Sequence, residues 1–313
     1  MNSTLPNQNT TTSWVLLYVC PWAYSLFFIV GFPANCLSLY VACMLIKNGN
    51  NNMAVYLITL SVSDLLYTIT LPAWIEQSLQ RPVHPYLCIF MNAIMYNSFY
   101  VGSGLLCCIS VDRYLALVYP LYFNRIREVR TAAAVSAVVL ALEIVIHTLL
   151  LDHTGALQDP KQLCKQGEPM TQKEADLALT RFILGFLVPV FIMTFCCQQI
   201  MRSLRRSSSI QTEERRKVEL LLLFLLLTYV VSFAPYQIVM LLRVVLELRD
   251  STWEVKLRDP YLVTITTTTL NSTLDPIIYC LISESAKKEI RKAAEKGKGL
   301  FMRKRSKGIQ TVC

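Results

Sequence analysis

The sequence predicts an all-α membrane protein, a seven-transmembrane helix bundle followed by a short amphipathic helix, and three observations predict it. The 313 residues are 54% hydrophobic and only 16% charged, with a mean hydropathy of +0.42, far more apolar than a soluble domain of that length. Crossing a hydrocarbon core about 30 Å thick takes about 20 helical residues, and apolar runs of that size recur seven times. The basic residues between the runs favour one side.

The spans cover residues 14–46, 53–79, 86–118, 131–151, 176–201, 217–246 and 260–282. Each must satisfy its own backbone groups in lipid, which leaves helices as the solution for runs this long. Several exceed the bilayer's need, so tilt or extension beyond it is expected. The first span reads as its own insertion signal, because residues 1–46 carry no charged side chain and no basic n-region. Placing the N-terminus outside puts twenty Lys and Arg on the inner side and seven on the outer, where the spans' flanks and loops are counted. The net charge of +9 therefore reads as topology and attraction to lipid headgroups, with no nucleic-acid partner.

The resulting organisation is an extracellular tail (1–13), the bundle (14–282), an amphipathic membrane-surface helix (283–296) and a cytoplasmic basic tail (297–313). The surface helix is expected from Ile290 with Ala293 or Ala294 at helical spacing among basic residues. Asn2 and Asn9 stand in glycosylation sequons of the outer tail, whereas Asn271 matches inside the seventh span, out of reach of a transferase. Of eleven cysteines, most fall in apolar runs and act as small hydrophobes. Cys88, at the outer start of the third span, and Cys164, in the long outer loop, are expected to form a disulfide; Cys20 has no evident partner. No metal-ligand cluster, phosphate-cradling glycine loop or nucleophile–base pair is present, so no enzyme and no cofactor are expected.

Motifs appear in order along the spans: "GFPAN" with Asn35, "LSVSD" with Asp64, "DRY" at Asp112, Arg113 and Tyr114, "FAPY" with Pro235, and "DPIIY" with Asp275, Pro276 and Tyr279. On these the chain resembles the rhodopsin-like, class A G protein-coupled receptors along essentially its whole length. Through "YLITLSVSDLLYTITLPAWI", "CCISVDRYLALVYPL", "RFILGFLVP" and "DPIIY" it resembles their proton-sensing and lysolipid-related subfamily, which includes the G2-accumulation receptor. The resemblance implies a plasma-membrane receptor with its N-terminus outside, activating a heterotrimeric G protein, with arrestin and receptor kinases as further partners. It makes Asp112, Arg113, Tyr114 and Tyr279 the coupling switch and Phe233, Pro235 and Pro276 the kink and toggle positions. It departs from the class pattern at Leu140, Cys197 and Phe233, and Arg215 stands near the usual place of an acidic partner for Arg113, which puts an ionic lock between the third and sixth spans in doubt.

The departure that bears on the agonist is Asp275, where most of the class has asparagine. Three carboxyls, Asp64, Glu143 and Asp275, fall near mid-membrane. Ionised carboxylates there are expensive, and neighbouring ones resist joint ionisation. A proton-sensing role is read for all three, with an alternative beside each: Asp64 as the sodium-binding and polar-network residue of the class, Asp275 as a substitute for the usual asparagine in the same network, and Glu143 as a lone protonated acid or a partner of His147 one turn away. The agonist is read as the extracellular proton, the alternative being an anionic lysophospholipid or oxidised fatty acid. For the latter, Arg181 and Arg243, with Trp74, Tyr96, Tyr100 and Phe182, form the expected pocket, although Glu247 is placed to neutralise Arg243. A proton-coupled transporter is the reading from another class.

Overall fold

The computed structural model describes residues 14–49, 52–119, 128–155, 170–205, 212–250, 252–284, 286–292 and 295. A π-helical turn, Val15–Val19, leads into the first span, Cys20–Asn48; the second, third and fourth are Asn52–Ser78, Pro85–Val118 and Val129–Thr154. The fifth joins Gln172–Phe182 to Val188–Arg205 through a π-helical turn at Ile183–Leu187. The sixth is Thr212–Leu246, and the seventh comes in two pieces, Thr252–Thr267 and Thr269–Ile282. Six of the spans are continuous enough to cross a bilayer by length and composition alone. The seventh crosses as its two pieces in succession.

That seventh span also starts earlier than its apolar run, which predicts 260. Hydropathy reads composition, but a cap decides where the helix begins. The Asp250 carboxylate accepts from the Thr252 backbone N–H at 2.9 Å and from its hydroxyl at 2.8 Å, satisfying a donor that the first turn leaves open. These bonds hold the Asp250 carboxyl below the usual carboxylate range. The polar first turns therefore stand outside the apolar run as ordinary capped helix.

Prolines set the bundle's internal links, because each removes the N–H that its i−4 carbonyl expects. Pro276 supplies none for the Ser272 carbonyl, and the Asn35 amide of the first span donates there at 2.8 Å. Pro189 supplies none for Gly185, whose carbonyl accepts from the Tyr229 hydroxyl of the sixth span at 2.5 Å. Beside Pro235, the Ser232 carbonyl accepts from Thr267 at 3.2 Å. The carbonyls at or beside these prolines are thus tied across spans by side chains.

The third span is central, packing against the second, fourth, fifth and sixth. Leu105, Leu106 and Ile109 on it, Met193 and Ile200 on the fifth and Leu222 on the sixth are buried. Large apolar side chains on the outside, among them Ile29, Ile69, Leu149, Leu184 and Phe191, face where lipid would lie, which is why the long helices have little amphipathic contrast. Third and fifth spans approach closely at Gly185, where a Cβ would stand 2.4 Å from the Tyr100 ring.

After the seventh span, residues 284, 286–292 and 295 are helical, with Ala286 buried and Ile290 packed against the bundle. Ala293, Ala294, the side chain of Arg215, Cys164, Asn2, Asn9 and both tails lie outside the described residues. Cys88 is disulfide-bonded. Cys20, expected to have no disulfide partner, is a free buried thiol that packs against the seventh span, 3.8 Å from the Leu262 carbonyl and 3.6 Å from the Thr266 hydroxyl.

Candidate functional site

Two of the three predicted carboxyls come together. Asp64 and Asp275 are 1% and 2% exposed and lie within electrostatic reach of one another. Asp64 accepts from the Ser98 hydroxyl of the third span at 3.0 Å, and Asp275 from the Asn271 amide one turn earlier at 2.8 Å. Each keeps a second oxygen, Asp64 Oδ2 and Asp275 Oδ1, buried with no hydrogen-bond partner among the described residues. Like charges on two acids so placed would repel, and each acid has a single hydrogen-bond donor against that repulsion among the described residues.

The pair sits in a polar seam between the first, second, third and seventh spans. Asn35 bridges to the Ser272 carbonyl, the Ser61 hydroxyl donates to Ser38 at 2.9 Å, and the Tyr67 and Thr269 hydroxyls meet at 2.8 Å. Proline at 276 follows Asp275 directly, so the acid stands where the backbone ladder is already interrupted. Asn35, Ser98, Ser272 and Asn271 were not singled out as site residues. Only Asn35 carried a sequence signal, its "GFPAN" context.

Glu143 is elsewhere. It lines a cavity of about 70 Å³ between the third, fourth and fifth spans, together with Tyr100, His147 and Arg181. The alternative pairing of Glu143 with His147 is not made through a hydrogen bond: His147 is buried with both ring nitrogens unpartnered among the described residues, its ring 5.5 Å from that of Tyr96. The Arg181 guanidinium lies over the same ring at 4.0 Å.

The two pocket arginines have different fates. Arg243 donates to Glu247 through Nε at 2.6 Å and through Nη2 at 3.1 Å, both side chains being buried. It also lies 4.6 Å over the Tyr261 ring. Arg243 is thus a structural ion pair, as the i,i+4 spacing allowed, and Arg181 is the cation left facing a cavity. Trp74 packs against Tyr24 with centroids 6.4 Å apart, and Phe182 stacks on Phe186 at 6.1 Å; neither lines the cavity. Phe233 contacts Phe99 edge-on at 5.5 Å and Tyr229 at 4.8 Å, which packs the expected toggle residue against an aromatic ring of the third span and one of its own.

At the inner end, Arg113 pairs with Asp112 at 3.0 Å, and Asp112 also accepts from Asn52 of the second span. Tyr114 meets Tyr119 and Phe195 edge-on, each at 5.8 Å. Tyr279 is buried and within electrostatic reach of Arg113. On the sixth span the described inner ion pair is Lys217 with Glu284, at 3.3 Å.

The sequence matches the family model of the 7 transmembrane receptor (rhodopsin family) over residues 34–279. The G-protein coupled receptor 68 of Homo sapiens is 33% identical over 283 residues, 87% of this chain and 75% of that protein. The G-protein coupled receptor 65 of the same organism is 32% identical over 285 residues, 86% and 84% of the two chains. The human Lysophosphatidic acid receptor 4 is 31% identical over 277 residues, 85% and 74% of the two.

Proposed function

The chain belongs to the rhodopsin family of seven-transmembrane receptors, and we propose that the extracellular proton is its agonist. As a member of that family it is a multi-pass membrane receptor that signals through G proteins, not an enzyme; family membership leaves the transporter reading without support. A plasma-membrane location with the N-terminus outside, and regulation by arrestin and receptor kinases, complete the reading.

The observation that carries it is the buried Asp64–Asp275 pair, each carboxyl bonded through one oxygen and bare at the other. With both ionised, the acids repel and push the second and seventh spans apart. A proton between them turns one carboxyl into a donor, and the spans draw together. Pro276 gives the seventh span its bending point beside the acid. Tyr279, one turn further inward, brings that motion to Arg113, whose release from Asp112 opens the G protein face. Asp64, with the Ser98 hydroxyl on its carboxyl, also offers oxygen donors of the kind that a sodium ion takes, so sodium would compete with the proton there.

The test is the pH–response curve of Asp64→Asn, Asp275→Asn and Glu143→Gln receptors expressed at equal surface density. Asp64→Asn and Asp275→Asn should flatten the curve, because each removes one acid of the pair. Glu143→Gln should move its midpoint less, being outside that pair. Wild-type curves from both pair variants would remove the carboxyl pair from the mechanism.

A second reading, an anionic lysophospholipid or oxidised fatty acid as ligand, is favoured by one feature: the half-buried Arg181, its Nε without a hydrogen-bond partner among the described residues, on the wall of a cavity. The similarity to a lysophosphatidic acid receptor accords with it.

A further inference from the structure

The cavity that holds Arg181 also holds two titratable groups, and neither the agonist reading nor the lipid reading uses their being there together. Glu143 and His147 of the fourth span share its walls with Arg181 of the fifth and Tyr100 of the third. His147 is 6% exposed. Its two nitrogens and Arg181 Nε have no hydrogen-bond partner among the described residues, a costly arrangement for polar groups away from water. Arg181 and His147 flank one ring, that of Tyr96, and lie within electrostatic reach of each other. A half-buried arginine whose Nε is buried and idle, beside an idle imidazole, offers a place for an anion.

The cavity's size and surroundings say what kind. At about 70 Å³, several times the roughly 10–15 Å³ that one water needs on the same measure, it has room for a head of carboxylate or phosphate size. Two other lining residues, Ile146 and Leu184, are 42% and 60% exposed on the outer surface of the bundle. An attached chain therefore has an apolar exit along the seam between the fourth and fifth spans, toward lipid.

We propose that Arg181, His147 and Glu143 form a proton-linked site for the anionic head of a single-chain amphiphile, entered from the bilayer between the fourth and fifth spans. The inference rests on the second reading above and adds its regulation. The groups that face the site are Glu143 and His147 on the fourth span, Arg181 on the fifth and Tyr96 and Tyr100 on the third, with Tyr229 and Tyr236 of the sixth within electrostatic reach of Glu143 and Arg181 respectively. With the site free of ligand, Arg181 opposes a second positive charge on His147. An anion between them removes that opposition and invites a proton onto the imidazole, while an ionised Glu143 repels the anion and a protonated one does not. Proton and amphiphile then strengthen each other's binding by the same factor.

The test is direct binding to the full chain in phosphatidylcholine nanodiscs, with no signalling readout. The probe is a radiolabelled hexadecyl sulfonate, whose head stays ionised throughout, and monooleoylglycerol is the uncharged control. Affinity for the sulfonate should rise as pH falls from about 8 to about 6, by up to about tenfold per pH unit for each proton taken up. His147→Gln and Glu143→Gln should each keep binding at low pH, which shows that they fold, yet lose part of the slope. Arg181→Gln should bind no better than the uncharged control competes. Parallel measurements with oleate and oleoyl lysophosphatidate identify whether a carboxylate or a phosphate head is preferred. If the wild type binds no anionic probe in preference to monooleoylglycerol, the lipid reading fails and the inference with it. Anion binding with no pH slope, or with the same slope in both titration variants, overturns the inference and leaves the lipid reading standing.

Discussion

Removing one partner of the Arg243–Glu247 pair should destabilise the receptor more than most substitutions in its outer half. The two side chains are 7% and 2% exposed, and their nearest atoms are 2.6 Å apart. Glu247 also accepts from the Met170 backbone N–H at 3.2 Å, so the carboxylate ties the end of the outer loop to the sixth span. Glu247→Gln leaves a guanidinium buried over the Tyr261 ring without its counter-charge. Breaking a buried pair in this way costs about 3–5 kcal/mol, a factor of about a hundred to several thousand in the folding equilibrium. Arg243→Met combined with Glu247→Leu removes both charges and should recover most of the loss, since a well-packed apolar pair is often no worse than a buried ion pair. The assay is thermal unfolding of the purified receptor followed with a thiol-reactive dye, for which the buried thiols of Cys20, Cys196, Cys197 and Cys280 serve as reporters. A single variant that melts with the wild type, or a double variant as unstable as Glu247→Gln, would refute the reasoning. Arg243 would then have to be reconsidered as a ligand contact.

Gly185→Ala should drive the Tyr100 ring out of its place, because the new methyl carbon would stand 2.4 Å from it; amphiphile binding at the neighbouring cavity should fall, with a smaller effect on the pH response set at Asp64 and Asp275. Lys217→Ala should raise basal second-messenger output modestly, by freeing the sixth span from Glu284. The Glu284 carboxyl is held below the usual carboxylate range by Lys217 and by Lys287. A depressed value means that the contact is fully present above the ordinary carboxylate range and is lost only as pH falls through the lowered value, so cytosolic acidification to about pH 6.5 should leave basal output unchanged. Arg113→Ala should abolish coupling while surface expression persists; intact second-messenger output from that variant would remove Arg113 from the switch.

Much of this arrangement was legible in the sequence, for reasons that differ between residues. The spans were readable because a bilayer demands long apolar helices, and an acid within one is conspicuous whatever it contacts. That singled out Asp64, Asp275 and Glu143 alike. It could not say that the first two meet and the third faces another cavity, because the fourth span is apolar on most of its circumference and composition gives no rotation for it. Arg243 was readable as an ion pair, since its partner lies one turn away, whereas the open state of Arg181 depends on what three helices fail to bring near it. The link from Asn35 to the Ser272 carbonyl spans 237 residues of chain. Pro276 announces that a carbonyl is freed there, but only the packed bundle identifies the amide that answers it.

The measurement that bears most directly on the proton reading is G protein output from cells expressing the wild-type chain, followed through cyclic nucleotide, calcium and Rho readouts. External pH would be stepped from about 8 to about 6. The account predicts a steep receptor-dependent rise in at least one readout as pH falls, absent from Asp275→Asn cells of equal surface expression. A flat response across all three readouts, in cells whose receptor-dependent basal signal shows the protein to be functional, would contradict it.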